Sequence, residues 1–476
     1  MKSDFDYIVA GSGAAGAAVA SRLSRGGARV LLLEQGASAQ PQADAAAAVS
    51  SYYANAGLTA AFGNGLFPIA VGRCLGGTTA INSGTCLRPP QDAVLRWQGE
   101  APGFDAAAFG LDVEDAWKTL KVSPVPRELA GRSTELFFQG LERRGLGGGH
   151  LLDRAHDDCR GAGRCCFVCP NDAKMTSERA FLRKTDHQAG PEVWAETRLL
   201  DVQPSQREGG PAFARIRGSD GEARTLSCRA LILSCGALAT PYFLRKLGLP
   251  AGDGLTIHPA AKVFALFPEP VRGWKGVPQA GGRLDPEEPR LRFEGAFVPP
   301  EMAPLTMPLE GLRLRWWLDR YENVASFGFM VRDLGRGSVR YPAGDSLPLI
   351  RYRLHEDDVR LLARGMREVA RTYLAAGASR VLLPLNRPDN EIEDQAGLDA
   401  FDWRSIRAAE LNTMGFHPLG TCGLGRSLGA DLRAAPGLYV CDGSVVPESL
   451  GVNPQITIYA FALGLARRLL AGAGAS

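Results

Sequence analysis

Unbroken apolar runs, helical spacings and strict alternation succeed one another along the chain, and each predicts a different element. Phe5-Asp-Tyr-Ile-Val-Ala10 and Val30-Leu-Leu-Leu33 are short apolar runs of the kind that become strands buried on both faces. Between them an Ala-rich stretch keeps helical spacing through Leu23 and is stopped by Gly26-Gly27, so the chain opens with a βαβ unit. Gln40 to Ala61 is Ala-rich and polar, which predicts a short helix and loops. Thr197 to Ala237 reads as strands, with Arg229–Cys235 a buried one; Gly236-Ala237 ends it and Pro241 opens a helix. Residues 260–355 hold short alternating runs separated by Pro and Gly turns, among them Ala325–Val331 and Ser338–Tyr341. That pattern predicts a mainly antiparallel sheet, with Trp316-Trp317, Phe327 and Phe329 inside it. Apolar residues at Val359, Leu362, Met366, Val369 and Leu374 predict a helix from Glu356 to Ala376, stopped by Gly377.

The longest apolar stretch, Ile456–Ala466, is closed by Arg467-Arg468. It falls short of the ~20 apolar residues of a membrane span and predicts a buried helix. At 476 residues the chain is too long for one ordinary core and suggests two domains, or one large domain with insertions. The 54 basic and 51 acidic residues nearly cancel, which argues against a nucleic-acid footprint. A first strand at Phe5 leaves no room for a cleavable leader, so a cytoplasmic location is the default expectation, with export beside a leader-bearing partner as the other route.

Gly11-Ser-Gly13-Ala14-Ala15-Gly16 lies between the first strand and helix, and Glu34 ends the second strand 18 residues beyond Gly16. The glycines permit a tight turn and close approach of backbone N–H groups to a pyrophosphate, and the carboxylate suits ribose hydroxyls. A second Gly-rich loop, Gly72-Arg73-Cys-Leu-Gly76-Gly77-Thr78-Thr79-Ala-Ile-Asn82-Ser-Gly84, brings hydroxyls and an amide. Of the six histidines, His150, His187 and His258 have bland readings, His258 simply preceding Pro259 in a turn. His417 differs. It opens His417-Pro-Leu-Gly-Thr-Cys-Gly and precedes a strand–turn–helix segment from Gly437 to Thr457, in which Pro454 suits the first helical turn and Asn453 its N-cap.

Four of the ten cysteines, Cys159, Cys165, Cys166 and Cys169, fall within eleven residues and precede Pro170. The run is nearly C-x2-C-x2-C-x3-C-P, with Ala162 where a second thiolate would stand. Three readings stay open: an iron–sulfur site on Cys159, Cys165 and Cys169 with Cys166 spare, a zinc site, and a structural element. The other six cysteines read as small buried hydrophobes.

Four blocks, Gly11–Glu34, Gly72–Arg88, Leu231–Pro241 with His258-Pro259, and His417–Thr457, resemble the glucose–methanol–choline (GMC) flavoprotein oxidoreductases in their order along the chain. The second loop and the cysteine-rich insertion look most like the long-chain alcohol oxidase branch, and the C-terminal block resembles cholesterol oxidases too. The resemblance implies an α/β fold: a Rossmann-like FAD-binding domain from 1–90, 191–259 and 405–476, with an interleaved substrate domain at 260–404 built on a mainly antiparallel sheet. The insertion at 91–190 would carry the cysteines.

It also implies non-covalent FAD, since the second Gly-rich loop holds no histidine. Gly11, Gly13, Ala14, Ala15, Gly16, Glu34 and Gln35 would meet its adenosine end, with Leu199, Gly236 and Ala237 nearby. Arg73, Gly76, Gly77, Thr78, Thr79, Asn82 and Gly84 would line the flavin or pyrophosphate, and Asp442, Gly443, Asn453, Pro454 and Thr457 would close over it.

His417 would take the hydroxyl proton of an alcohol while Asn453 holds the substrate oxygen. The spacing C-x5-C-x3-C-P resembles the cluster segment of bacterial FAD-dependent glucose and fructose dehydrogenases, which implies a [3Fe-4S] cluster on Cys159, Cys165 and Cys169. Electrons would then pass to an external acceptor, such as a cytochrome or small subunit. An oxygen-using oxidase with structural cysteines, and a lyase or photodecarboxylase on the same fold, are the alternatives. Trp316, Trp317, Phe327 and Phe329 read first as core of the sheet; were they to line the pocket, they would favour a hydrophobic or ring-shaped alcohol over a small polyol.

Overall fold

The computed structural model describes residues 3–183, 190–344 and 347–474; His187 lies outside them. One eight-stranded sheet runs in the order Arg433–Ala435, Leu438–Val440, Ala223–Leu233, Phe5–Ala10, Val30–Leu33 and Glu192–Trp194. From Leu438–Val440 to Glu192–Trp194 neighbouring strands are parallel. Parallel strands are covered on both faces, which is why these runs read as apolar without alternation. Arg198–Gln203 and Ala212–Arg217 extend the long strand Ala223–Leu233 as an antiparallel meander. Helices Ala14–Arg25 and Gln455–Gly474 pack on each other, and Ala106–Thr119 packs on the latter. The apolar run at 456–466 is thus buried as expected, and no helix among the described residues is long and apolar enough to cross a membrane.

A second eight-stranded sheet is antiparallel throughout, with Pro259–Leu266 and Val324–Val331 at its centre and Leu291–Gly295 beside them. Its alternation divides the side chains cleanly. Val263, Ala265, Leu291, Phe293, Phe327 and Phe329 form one apolar face under the helices Arg132–Arg143 and Glu356–Ala376. Phe327 stacks on Phe137 at 3.8 Å, and Gly365 lies against the Phe329 ring, where a Cβ would come within 2.4 Å. The two phenylalanines are therefore core on the helix side and not a pocket wall. The helix Glu356–Ala376 carries three acids in its first turn, and Gly377 ends it at φ 106°, as its sequence requires.

The tryptophans also depart from expectation. Trp316 and Trp317 lie on a helix, Gly311–Leu318, and not in a strand. Burial of Trp317 with Phe264, Met307 and Tyr321 outweighs the strand preference of two adjacent indoles. A smaller sheet joins Ala60–Gly63 and Leu66–Pro68 to Leu349–Arg353, Arg336–Arg340 and Asp253–Leu255, which ties distant parts of the chain together.

Candidate active site

The first Gly-rich turn is shaped by contact. Gly11 sits at φ 102°, and a Cβ there would lie 2.2 Å from the Ser234 carbonyl oxygen. A Cβ on Gly16 would lie 1.8 Å from the Gly11 oxygen, whereas Gly13 faces open space. No side chain caps the helix that starts at Ala14, and its first turn holds no acid, so the N–H groups of Ala14, Ala15 and Gly16 are directed at an anion site.

Ser12 ties this turn to its surroundings. Its Oγ donates to Glu34 Oε2 at 2.6 Å and accepts from Gly76 N at 3.0 Å. Glu34 also accepts from Ser12 N and Gly36 N, leaving about one of a carboxylate's four lone-pair positions for a ribose hydroxyl. Gln35 is exposed beside it.

The second Gly-rich loop packs backbone against backbone on the first. A Cβ on Gly77 would come within 2.9 Å of Gly13 Cα, and one on Gly36 within 2.3 Å of the Arg73 oxygen. Thr78 Oγ1 accepts from Gly72 N, while Thr79 Oγ1 donates to the Gly76 carbonyl at 2.6 Å and meets Ser177. Asn82 donates to Gln455 Oε1 and accepts from Gly84 N, joining this loop to the C-terminal helix. Leu199 is buried next to Thr197, whose N–H donates to the Glu34 carbonyl. Asp442 Oδ2 accepts from Gly236 N at 2.9 Å and Thr240 Oγ1 at 2.5 Å, and Thr421 Oγ1 donates to the Ala237 carbonyl. Gly443 follows Asp442 in the same buried turn. Two closely packed glycine loops, uncapped helix N–H groups and an acid with a lone pair to spare fit a dinucleotide such as FAD.

At the other end of the cradle, tertiary structure gathers groups that sequence left apart. His258 and His417 rings meet edge to face, 5.0 Å between centroids. His258 Nε2 accepts from Leu450 N at 2.9 Å and Gly451 N at 2.8 Å, so its proton sits on Nδ1. The same bonds pin the loop that carries Asn453 two residues later. The cap falls one residue later than expected: Pro454 precedes helix Gln455–Gly474, its carbonyl accepting from Ile458 N, and Asn453 stands before it. The fixed φ of proline makes a natural lead-in to the first turn.

Burial, with His258 adding to it, holds the His417 imidazole well below its ordinary 6.5, so it is neutral at pH 7. His417 is partly exposed, and its Nδ1 is the buried nitrogen, which leaves Nε2 toward the open side. His417 Nδ1, Asn453 Oδ1 and Thr457 Oγ1 are all buried without a partner. A ligand with its own donors and acceptors would complete the bonding of these three atoms.

Glu294 was not foreseen. It stands on the sheet face opposite the phenylalanines, flanked in register by Gly282 and Gly328. Burial pushes its carboxyl up to about 7, opposed by Arg292 and by the facing Asn453 amide. Gln279 Nε2 donates to Glu294 Oε2 at 2.7 Å, and Gln279 Oε1 accepts from Thr85 Oγ1 at 2.5 Å and from Ser83 Oγ. The Ser83 carbonyl accepts from Arg154, whose Nη2 also donates to Cys165 Sγ at 3.1 Å. A chain of hydrogen bonds therefore runs from Glu294 through Gln279, Ser83 and Arg154 to Cys165.

Within that segment Cys159, Cys165 and Cys169 line one small cavity of about 20 Å³, together with Gly161, Ala162 and Gly163. Among the described residues no three His, Cys, Asp or Glu side chains gather closely enough to hold a single metal ion. Burial raises the Cys165 thiol, but the charges of Arg154 and Lys174 outweigh it and hold the thiol below its ordinary range. Lys174 spends its three N–H bonds on the carbonyls of Ala80, Asn82 and Cys165. Cys166 packs apart, with Tyr53 and Phe167 in a separate core, and burial pushes its thiol up to about 11. Val168 is held at φ 65°, a left-handed conformation costly for a β-branched residue. Ser12, Arg154, Lys174, His258, Ser177 and Glu294 are the site residues that sequence patterns did not disclose.

Comparison with known proteins agrees with this architecture. Family models of the GMC oxidoreductases match residues 5–260 and 334–462. The chain belongs to the GMC oxidoreductase family. An uncharacterised GMC-type oxidoreductase of Mycobacterium tuberculosis is 33% identical over 98% of this chain and 76% of its own length. The long-chain-alcohol oxidase FAO3 of Arabidopsis thaliana is 25% identical over 98% of this chain and 67% of its own. The crystal structure of pyridoxine 4-oxidase from Mesorbium loti superposes with a TM-score of 0.70 at 18% identity, covering 98% and 99% of the two chains.

Proposed function

We propose that this oxidoreductase oxidises the CH–OH group of an alcohol with non-covalent FAD, His417 taking the hydroxyl proton and Asn453 holding the substrate oxygen. The carrying observation is the meeting of a neutral imidazole, its open nitrogen free to accept a proton, and an asparagine amide able to donate an N–H to the substrate oxygen, at one end of a dinucleotide cradle. Bound in that cradle, FAD supplies the acceptor for the carbinol hydride. His417 needs no prior deprotonation at neutral pH, so its open nitrogen is ready to accept the proton. The start of helix Gln455–Gly474 adds partial positive charge where negative charge develops. Long-chain-alcohol oxidase and choline oxidase among the relatives support this reading. In it the FAD-binding part comprises 1–90, 191–259 and 405–476, the insertion 91–190, and the substrate part 260–404.

Anaerobic mixing with alcohols tests the assignment. His417→Gln is expected to retain FAD while slowing flavin bleaching by at least ~10²-fold. Near-normal bleaching overturns the base, and bleaching by no alcohol favours a lyase or photodecarboxylase.

The finer reading concerns the electrons. We propose that Cys159, Cys165 and Cys169 hold a [3Fe-4S] cluster that serves an external acceptor. Three thiols around one cavity, with Arg154 and Lys174 at Cys165, suit an anionic cluster. Their spread fits a cluster, where each thiolate meets its own iron, better than zinc, where all must close on one point. The cavity has room for about one water, so cluster binding requires the Cys159–Cys169 loop to move apart. Anaerobic purification should yield iron, sulfide and an EPR signal that Cys165→Ser abolishes. Iron-free protein that turns over with oxygen establishes structural cysteines instead.

A further inference from the structure

The sheet face that meets the proposed catalytic groups carries charged side chains among apolar ones such as Phe264 and Met330, and one of those charges has no ion-pair partner among the described residues. Register places Lys262, Gly328 and Glu294 side by side on three adjacent strands, so Lys262 and Glu294 share a face with only a glycine between them. Strand spacing sets them about 10 Å apart. The loop of the catalytic amide lies across this face: Arg292 Nε donates to the Gly451 carbonyl, and Asn453 faces Glu294. The reacting carbon therefore belongs at the Glu294 end, and Lys262 stands where the remote end of a substrate would lie.

Among the described residues the ammonium of Lys262 has no hydrogen-bond or ion-pair partner. The Phe264 ring lies 5.6 Å away, and the Cys166 side chain is also near it. Burial brings the ammonium down from 10.5 to about 8, so it still carries its charge at pH 7. The other buried lysine near the site, Lys174, differs in having all three of its N–H bonds taken by carbonyls. A partly enclosed charge left without a partner is costly unless a ligand supplies one. Arg292 adds a second positive charge on the same face, and Glu294, its carboxyl pushed up to about 7 and so only partly ionised at pH 7, offsets part of it.

We propose that Lys262 reads the far end of the substrate, so that this enzyme takes an alcohol bearing an anionic group, a carboxylate, remote from its carbinol carbon. This rests on the proposed alcohol oxidation for the reacting end alone; the anion site stands on the sheet register. Phe327 and Phe329 lie on the helix side of the sheet, as their core reading expects, so they give no argument for a hydrophobic substrate.

Equilibrium binding tests it without turnover. FAD-loaded enzyme is titrated with hexanoate, 1-hexanol and hexylammonium, read by the perturbation of the flavin spectrum. Hexanoate should bind at least tenfold tighter than the other two. Lys262→Met should abolish that preference with FAD content and melting temperature unchanged, and Lys262→Arg should keep most of it. Equal affinity for hexanoate and hexanol, or a preference that survives Lys262→Met, overturns the proposal. A second arm adds 6-hydroxyhexanoate anaerobically: Lys262-dependent binding without bleaching retains the anion site and overturns alcohol oxidation.

Discussion

Replacing His258 with glutamine isolates the energetics of the imidazole pair. Two backbone N–H groups, Leu450 at 2.9 Å and Gly451 at 2.8 Å, occupy the only lone pair that could take a proton. Protonation must break both bonds and place a charge in a dry site near Arg332. Burial, with that neighbouring charge, accordingly pushes His258 from 6.5 down to about 3. Between these values the folded protein binds fewer protons than the unfolded chain, so its stability rises with pH. The contribution is complete above pH 6.5 and is lost progressively as pH falls toward 3. Its slope is ~1.4 kcal/mol per pH unit, and integrated from 6.5 down to about 3 it amounts to roughly 5 kcal/mol.

Glutamine places Oε1 within reach of the same two N–H groups but does not titrate. Urea unfolding of the FAD-loaded protein and of His258→Gln, from pH 4.5 to 7.5, supplies the comparison. The stability difference, wild type minus variant, should climb by about 1.4 kcal/mol per unit to pH 6 and level off above 6.5. Taking the difference removes the opposing slopes of Glu34, Asp333 and Asp442, whose carboxyls burial raises. Parallel curves for the two proteins would refute the fixed, neutral tautomer.

Two further substitutions probe other parts of the site. Glu294 keeps its proton up to about 7, so the folded state loses stability relative to the unfolded chain as pH rises from 4.5 through 7. Glu294→Gln should therefore be stabilised over wild type by about 3 kcal/mol more at pH 8.5 than at pH 4.5, and a pH-independent difference in urea unfolding contradicts this. Gly11→Ala forces a Cβ to within 2.2 Å of the Ser234 oxygen at φ 102°, and should yield protein with little FAD; full flavin content in the purified variant shows that the turn gives way.

Local patterns carried the elements whose causes are local. The strand Phe5–Ala10 and the helix Glu356–Ala376 were legible because an apolar period, three acids and a stopping glycine lie within each segment's own reach. The Gly-rich turn and Glu34 were legible because a βαβ unit brings them together over a few dozen residues. Trp316-Trp317 misled because two indoles suit a strand locally, while the partners that bury Trp317 come from elsewhere in the chain. Alternation at 324–331 announced a two-faced strand, yet nothing in it says which face meets helices.

The catalytic surroundings show the same division. His417 and Asn453 stood out as residues of the right chemistry in one continuous C-terminal segment. His258 looked like an ordinary turn residue until the pairing of Pro259 with Gly415 brought its ring against His417. Glu294 and Lys262 gained meaning only from strand register, which sets a charge opposite a glycine and leaves it facing the site. Sequence by itself determined the two Gly-rich turns, the segment that carries His417 and Asn453, and the cysteine spacing, because each depends on neighbours along the chain. The tertiary structure alone decided which face of the sheet meets the catalytic loop and what charge it presents, because register couples strands that the chain keeps apart.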